Sequence, residues 1–167
     1  MMIHQKLNDL SNEEAYSALM RCCGSQRWAH QMCTKRPFSS TEEVFSSAEM
    51  IWNQLDKEDF LEAFSHHPQI GASRESLEKK FPSTKSWSAQ EQAGMQQASE
   101  DVIDRLLRGN KAYLKAFGYI FIVCATGKSA EEMCVLLEER LGNNPEEELY
   151  VAAAEQAKIT IIRLEKL

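Results

Sequence analysis

Glycine and proline are scarce in this sequence of 167 residues, which contains 7 Gly and 4 Pro. Together they make up about 7% of the chain, where a typical protein has about 12%. Because tight turns depend on these two residue types, their scarcity favours long helices over a sandwich of many short strands. Long apolar runs are also missing, since the longest, residues 119–125, is far too short to span a bilayer. We therefore expect a helical protein that does not enter a membrane.

An excess of positive charge is missing as well. The chain has 19 Lys and Arg against 25 Asp and Glu, a net charge of −6. This balance argues against a nucleic-acid backbone or an anionic membrane as the main partner. It leaves open a small anionic substrate, which depends on local charge. The hydrophobic share of 43% is enough for a core and excludes intrinsic disorder. At this length we expect a single compact domain over residues 1–167.

The cysteines and histidines form no recognisable disulfide or metal pattern. The five Cys are an odd number without a C-x-x-C pair, which indicates reduced thiols in a reducing compartment. The four His lack zinc-ligand spacing, so no metal is expected. Residues 1–8 have no apolar signal core, and the chain does not end in the peroxisomal S-K-L. We therefore expect a cytoplasmic protein.

Helix-start signals recur along the chain and predict about eight helices in an all-α fold. Capping residues followed by an acidic first turn are typical of helix N-termini. The predicted helical segments cover residues 11–24, 25–35, 40–55, 56–67, 88–108, 129–141 and 144–164. Gly109-Asn110 is expected to interrupt the fifth segment, with helix resuming through Phe117, and residues 118–125 are expected to be extended or irregular. Residues 66–88 form the long irregular connection, with one helical turn at residues 76–81.

His67 is the first candidate for chemistry, because it lies between His66 and Pro68 where a predicted helix ends. Histidine is the side chain best suited to move a proton near neutral pH. The structural alternative is an ordinary surface histidine that complements the helix dipole. Adjacent residues on a helix diverge by about 100°, so the two imidazoles do not readily serve one site.

Two further candidates, the segment from Ser88 to Gln92 and Arg163, also have both a structural and a functional interpretation. The simplest interpretation of Ser88 and Glu91 is a capping box, with Gln92 next to it. A helix N-terminus, however, also offers backbone N–H groups to a ligand. Arg163, near the end of the last helix, reads first as a dipole partner. It lies seven residues after Gln156, on a face that can point inward, and an inward Arg requires an anion.

For two other features, a pair of cysteines and a run of acidic residues, we expect a structural role and no chemistry. The vicinal pair Cys22-Cys23 is expected to be buried or half-buried in the core. The acidic run Glu146-Glu147-Glu148 is expected to be the solvated first turn of a helix, favoured by the dipole.

Five blocks of the chain, taken in order, resemble the 2-oxo-4-hydroxy-4-carboxy-5-ureidoimidazoline (OHCU) decarboxylases of purine breakdown. Any one block is weak, whereas five in register over nearly the whole chain are specific. The blocks are Cys22-Cys23-Gly24-Ser25-Gln26-Arg27-Trp28-Ala29 with Arg36-Pro37-Phe38, then His67-Pro68-Gln69-Ile70-Gly71, then Ser88-x-x-Glu91-Gln92, then Tyr113-x-x-x-Phe117-Gly118-Tyr119-x-Phe121-Ile122-Val123-Cys124-Ala125, and finally Glu148-Leu149 with Ala154-Glu155-Gln156-x-Lys158-Ile159-x-x-x-Arg163-Leu164.

The resemblance implies an all-helical, usually homodimeric enzyme without cofactor or metal. Such an enzyme converts OHCU to (S)-allantoin and CO₂. The matching catalytic positions are His67 and Glu91, and the matching substrate-binding positions are Pro68, Ser88, Gln92, Ile122 and Arg163. The sequence leaves open whether His67 or Glu91 delivers the final proton.

Within that implied site, each side chain has an expected role. Arg163 would bind an anionic or carbonyl oxygen, and Ser88 a ring or carboxylate oxygen. Glu91 and Gln92 would hold the ureido and ring N–H groups, and Ile122 with its neighbours would add backbone hydrogen bonds. Two alternatives remain, a non-catalytic helical binding module and a hydrolase of a neighbouring intermediate such as 5-hydroxyisourate.

Overall fold

Helices alone build the part of the chain that the structure describes. This computed structural model describes residues 1–69, 75 and 89–167, and in the last range the side chains from residue 100 onward. The described residues form eight helices and no strand, which confirms the all-α prediction. In chain order the helices are α1 Ile3–Asp9, α2 Asn12–Cys22, α3 Gln26–Thr34, α4 Thr41–Asn53, α5 Lys57–Ser65, α6 Ala89–Phe117, α7 Ala130–Leu141 and α8 Pro145–Glu165.

The helix starts are set by the side chains that the sequence predicts. In each case a side-chain oxygen accepts a hydrogen bond from a backbone N–H three residues further on, which satisfies a donor that the helix itself leaves open. Five predicted caps are confirmed in this way, namely Ser11, Ser40, Asp56, Ser129 and Asn144. At the start of α4, the pattern Ser40-Thr41-Glu42-Glu43 predicts a capping box in which Glu43 would accept from the N–H of Ser40. Glu43 instead accepts from the N–H of Ser39 at 2.6 Å.

Helix α1 was not predicted, because its seven residues carry no strong local signal. Contacts distant in sequence stabilise it instead. Leu7 is buried, and Asn8 exchanges two hydrogen bonds of 2.8 Å with the backbone of Phe38. The Arg36 guanidinium donates to the carbonyl oxygens of Leu7 at 2.6 Å and Leu10 at 2.7 Å. These bonds satisfy carbonyls that the end of a short helix leaves without partners.

The predicted interruption at Gly109-Asn110 is wrong, because α6 runs without a break from Ala89 to Phe117. The side chain of Asn110 donates to the carbonyl oxygen of Leu106 at 2.9 Å, so it supports the helix rather than ending it. Gly109 meets α7, where an added Cβ would lie 2.6 Å from Cδ2 of Leu137. The glycine is therefore a point of close helix packing, not a helix stop.

The contacts divide the chain into two compact units, Met1–His67 with Leu149–Leu167, and Pro68–Glu148. In the first unit the indole N–H of Trp52 donates to the carbonyl oxygen of Ala153 at 2.9 Å, and its ring packs 4.7 Å from that of Phe60. These contacts fix the later part of α8 against α4 and α5. The prediction of one domain over residues 1–167 stays a prediction.

The second unit has a core of its own, in which α6 packs against α7. Aliphatic, aromatic and sulfur-containing side chains from the two helices and from the irregular segment between them fill it. Its buried members are Ile103, Leu106, Tyr113, Phe121, Val123, Met133, Cys134 and Leu137. Residues 118–125 are neither helix nor strand, as expected.

Some predictions fall on residues that are not described. The helical turn at residues 76–81 and the capping role of Ser88 lie outside the described residues, as do the side chains of Glu91 and Gln92. Among the helices that are described, none is both long enough and apolar enough to cross a membrane.

Candidate active site

His67 lies just beyond the last turn of α5, where the sequence forces the helix to stop. The N–H groups of His66 and His67 still donate to the carbonyl oxygens of Ala63 and Phe64, each at 3.2 Å. Pro68 follows and disfavours a helical backbone at His67. The imidazole of His67 is half-buried, whereas Pro68 is exposed.

Both ring nitrogens of His67 face polar groups of α8. Nε2 bonds Oε1 of Gln156, and Nδ1 lies 3.4 Å from Nη2 of Arg163. Gln156 is fully buried, and its Nε2 donates to Oγ1 of Thr160 at 3.1 Å. Gln156 and Arg163 are seven residues apart, two helical turns, so they lie on the same side of α8. The imidazole is therefore held from two points on one helix.

Arg163 also contacts the end of α2. Its Nη1 lies 3.4 Å from the carbonyl oxygen of Cys22 and 3.5 Å from that of Arg21. These carbonyls carry the partial negative charge of the helix C-terminus, which favours a cation there. The ion pairs in the described part of the chain include none between Arg163 and a carboxylate. Among the described residues, Arg163 thus contacts the His67 imidazole and backbone carbonyl oxygens.

The surroundings of His67 favour the neutral imidazole. Burial lowers its pKa from the usual value, and the positive charges of Arg163 and His66 lower it further. The hydrogen bond to Gln156 opposes this shift but is outweighed. At neutral pH the ring is thus uncharged, with one nitrogen able to accept a proton.

The vicinal thiols near Arg163 are core groups, as predicted. Cys22 and Cys23 are both buried. Burial raises the pKa of the Cys22 thiol to about 11 and that of Cys23 to about 12. Thiols with such values are protonated at neutral pH and are poor nucleophiles.

Gly24 sets how closely the end of α5 approaches the segment after α2. A Cβ added at Gly24 would lie 2.5 Å from Cγ and 2.7 Å from Cβ of His66. Such distances are far inside van der Waals contact, and the atoms met are close to the His66 backbone. The absence of a side chain at Gly24 therefore determines where the His66-His67 segment lies.

The second unit holds Ile122 by a buried ionic network. Ile122 is buried, and its carbonyl oxygen accepts a hydrogen bond of 2.6 Å from Nη1 of Arg140. Arg140 in turn pairs with Glu148 at 2.6 Å, and the carboxylate of Glu148 also accepts from the hydroxyl of Tyr113. The guanidinium lies 4.5 Å from the ring centre of Phe121. This network fixes the backbone of the irregular segment at Ile122.

Glu148 contradicts the prediction made for the acidic run. It is fully buried, whereas Glu146 and Glu147 are exposed as expected. The prediction was wrong because Arg140, the partner of Glu148, lies in α7 and cannot be identified from the charges of residues 146–148 alone. Burial of this carboxylate is tolerable only with a paired charge and further hydrogen bonds.

The structure brings two of the predicted residues together, His67 and Arg163, both in the first unit. Ile122 belongs to the second unit, and Glu91 and Gln92 are in helix α6. Gln156, which contacts His67, was not predicted as a site residue, although its distance of seven residues from Arg163 was the available signal. No group of three or more His, Cys, Asp or Glu suited to hold a metal occurs among the described residues.

The family model described as OHCU decarboxylase matches residues 8–165. The chain belongs to the OHCU decarboxylase family. The family resemblance inferred from the five sequence blocks is therefore confirmed. The chain is also similar, at 42% identity over 147 residues, to the uric acid degradation bifunctional protein TTL of Arabidopsis thaliana. That match covers 87% of this chain but 45% of the relative, so the chain spans less than half of its length.

Two further comparisons agree with membership of the OHCU decarboxylase family. The 2-oxo-4-hydroxy-4-carboxy-5-ureidoimidazoline decarboxylase of Amia calva is 30% identical over 132 residues, covering 79% of this chain and 74% of that protein. A crystal structure of OHCU decarboxylase in the presence of (S)-allantoin matches with a TM-score of 0.71 and 38% identity. It covers 94% of this chain and 97% of the solved one, so the predicted OHCU decarboxylase-like helical fold is confirmed.

Proposed function

We propose that this chain decarboxylates OHCU to (S)-allantoin and CO₂ in urate degradation, without a cofactor or metal. One observation carries the proposal beyond family membership. A half-buried imidazole, His67, lies beside a guanidinium, Arg163, that has no carboxylate partner among the described ion pairs. This is the arrangement expected for a site that binds a small anion and moves a proton.

The substrate can supply its own electron sink. Its hydroxyl and carboxylate share one ring carbon, and the neighbouring ring carbon carries the C=N bond. As CO₂ leaves, the pair from the broken C–C bond forms a C=C bond, and the C=N pair moves to nitrogen, which takes a proton. The resulting enol loses its hydroxyl proton, and the neighbouring carbon gains one. The net change is one proton taken up and one CO₂ released per carboxylate anion.

Arg163 and His67 suit two parts of this sequence. The planar guanidinium of Arg163 can bind a carboxylate or carbonyl oxygen of the substrate through two N–H groups. The half-buried imidazole of His67, whose Nδ1 is 3.4 Å from Nη2 of Arg163, would contact the leaving carboxylate or the hydroxyl. Binding energy at Arg163 thereby orients the reacting carbon, which lowers the entropic part of the barrier.

The remaining positions are proposed from the family motifs. Glu91 and Gln92 hold the ureido and ring N–H groups, and Glu91 is the second candidate for the proton delivered to carbon. Ser88 and Pro68 line the substrate, with the Ser88 hydroxyl donating to an oxygen. The peptide groups around Ile122 complete the ring contacts, and the bond from Arg140 to the Ile122 carbonyl supports that role by fixing the peptide.

We further propose a homodimer that works in the cytoplasm. The resemblance to usually dimeric enzymes supports the first point, and sedimentation equilibrium tests it. Five cysteines, an odd number without framework spacing, suit a reducing compartment.

The decisive experiment generates OHCU in situ from urate and follows the chirality of the allantoin by circular dichroism. Spontaneous decay gives a racemate, so the enzyme must yield a growing excess of the S form. Dialysis against EDTA should leave the rate unchanged. A racemic product at every concentration of the protein would refute the decarboxylase assignment.

Matched histidine variants then test the site. His67→Asn should slow turnover by about 10²-fold or more, the usual contribution of general acid–base groups. His30→Asn, at an exposed position on α3, should retain the parent rate. Equal rates in the two variants would remove His67 from the mechanism.

A further inference from the structure

A chain of hydrogen bonds connects His67 to two buried polar residues of α8. The hydroxyl of Thr160 donates to the backbone carbonyl oxygen of Gln156 at 3.0 Å, one helical turn earlier. Its oxygen is then the acceptor for the side-chain NH₂ of Gln156, at 3.1 Å. The side-chain oxygen of Gln156 consequently faces Nε2 of His67. Gln156 and Thr160 are both buried, so water does not compete for these groups.

The tautomer follows from donor and acceptor counting. An amide oxygen only accepts hydrogen bonds, so Nε2 of His67 must carry the hydrogen. In a neutral imidazole the other nitrogen, Nδ1, then has a free lone pair. Arg163 agrees with this assignment, because its N–H groups only donate and Nη2 is the atom 3.4 Å from Nδ1.

We propose that Gln156, held by Thr160, is a positioning residue that fixes His67 as the Nε2–H tautomer with a bare Nδ1 beside Arg163. The consequence for chemistry rests on the proposed function. A bare Nδ1 can take the hydroxyl proton of the enol but has no proton to give. The proton that sets the S configuration at carbon therefore comes from a group other than neutral His67.

The direct test is the ¹⁵N spectrum of the histidines in the full chain at pH 7.5. The signals of His67 are assigned by their loss in His67→Asn. We expect a protonated, pyrrole-like Nε2 and an unprotonated, pyridine-like Nδ1. A protonated Nδ1 with a bare Nε2 would overturn the proposal, as would an even mixture of tautomers. This measurement needs no substrate.

Changing Gln156 to Glu gives a readout that a purely structural role would not move. A carboxylate at this position still accepts from Nε2–H but adds a negative charge, so the pKa of His67 should rise by about one unit or more. Among the described residues, the other groups that act on the pKa of the imidazole are Arg163 from α8 and His66 at the end of α5. The protonated thiols of the pair Cys22-Cys23 interact with Arg163. The acid limb of kcat/KM and the His67 titration should shift together, and an unmoved titration would contradict the proposal.

Thr160 provides the matched pair. Thr160→Ser keeps the hydroxyl and should retain the parent tautomer and kcat. Thr160→Val removes the hydroxyl that orients Gln156 and should mix the tautomers. The kcat should then fall in proportion to the fraction of His67 in the wrong tautomer, with little change in KM, since that form cannot accept the proton. Parent-like spectra and kcat in Thr160→Val would refute the relay.

The outcomes separate the two levels of the proposal. An Nε2–H tautomer in a chain that gives only racemic allantoin would support the relay and refute the decarboxylase function. An active enzyme with Nδ1–H would leave the decarboxylase function in place and refute the relay. The first test observes the unaltered chain and uses His67→Asn only to assign its signals, so it does not depend on whether a Gln156 variant folds.

Discussion

Nη2 of Arg163 lies 3.4 Å from Nδ1 of His67, although 96 residues separate them in the chain. Burial lowers the pKa of His67, and a cation this close lowers it further, so the neutral ring is favoured. In the proposed function the pair couples two roles, because the guanidinium that would bind an anion also favours the neutral state in which His67 would accept a proton. The same guanidinium faces the carbonyl end of α2, where the partial negative charge of the helix C-terminus favours a cation.

Replacing Arg163 should separate substrate binding from folding. Arg163→Met removes the charge and the fork, and kcat/KM should fall by about 10- to 100-fold, the loss expected for a charge-assisted hydrogen bond of roughly 1.5–3 kcal/mol. Arg163→Lys keeps the charge without the bidentate geometry and should recover only part of the activity. Steady-state kinetics on OHCU generated in situ provide the measurement.

Arg21→Met is the matched control, because Arg21 is an exposed arginine in the last turn of α2. It should leave kcat/KM within about twofold of the parent. If Arg163→Met kept the parent kcat/KM, or if Arg21→Met lost as much, Arg163 would not be the anion-binding group.

Acid should reduce both activity and stability through His67. Its pKa is lowered in the folded state, chiefly by burial, so the unfolded chain binds the proton more readily. As pH falls below about 6.5, the unfolded state gains protons first and the free energy of unfolding drops, until the folded pKa is passed. The acid limb of kcat/KM should lie below pH 6.5 for the same reason.

His67→Asn tests this linkage, since it removes the titrating group. Urea unfolding from about pH 7.5 down to about pH 5, where histidines titrate, should then show a smaller fall in the free energy of unfolding for the variant than for the parent. His30→Asn should keep the parent slope. An acid limb in kcat/KM above pH 6.5 would show that the imidazole is not held neutral by its surroundings.

Local signals predicted the helix starts well because capping is a local interaction. Ser11, Ser129 and Asn144 each bond an N–H three residues away, a spacing that the sequence displays directly. His67 was found for a similar reason, because a histidine before proline at a helix end is visible in the sequence. The family motifs then supplied Arg163, whose inward direction could not be told from position alone.

What the sequence could not predict depends on partners distant in the chain. From its sequence neighbours, Glu148 is predicted to belong to a solvated acidic run, and only the ion pair with Arg140 explains its burial. Gly109 reads as a helix stop until Leu137 is seen packed against it. Gln156 reads as one of several polar residues on α8, and only the positions of His67 and Thr160 give it a role.

Gly24→Ala should damage the site through His66. The new Cβ would lie 2.5 Å from Cγ of His66, so the segment carrying His67 must move. We expect a stability loss of about 1–3 kcal/mol, typical of overpacking, and a fall in kcat as His67 leaves its bond to Gln156. Thermal unfolding and the His67 NMR signals measure the two effects.

Gly142→Ala is the control for that substitution. Gly142 has a φ of −80° and its added Cβ would meet the carbonyl oxygen of Glu139 at 3.4 Å, an ordinary contact. It should be neutral or raise stability by about 0.4–1 kcal/mol, through the unfolded state. Parent-like stability and unmoved His67 signals in Gly24→Ala would show that the segment has room to spare.

The Arg140–Glu148 pair should behave as a buried unit rather than as two separate contacts. Arg140→Met leaves a carboxylate with no exposed surface, and Glu148→Leu leaves a guanidinium that is 8% exposed, so each should cost about 3–5 kcal/mol in urea unfolding. The double variant should cost less than the sum by about 0.5–3 kcal/mol, because no unpaired charge remains. Lys158→Met breaks an ion pair whose lysine is 64% exposed and should cost under about 1 kcal/mol. Arg140 also donates to the carbonyl oxygen of Ile122, so Arg140→Met should raise the KM for OHCU if the variant folds. Strictly additive losses of unfolding free energy would contradict the coupling of Arg140 and Glu148. An unchanged KM would contradict the role of Arg140 in holding the Ile122 peptide.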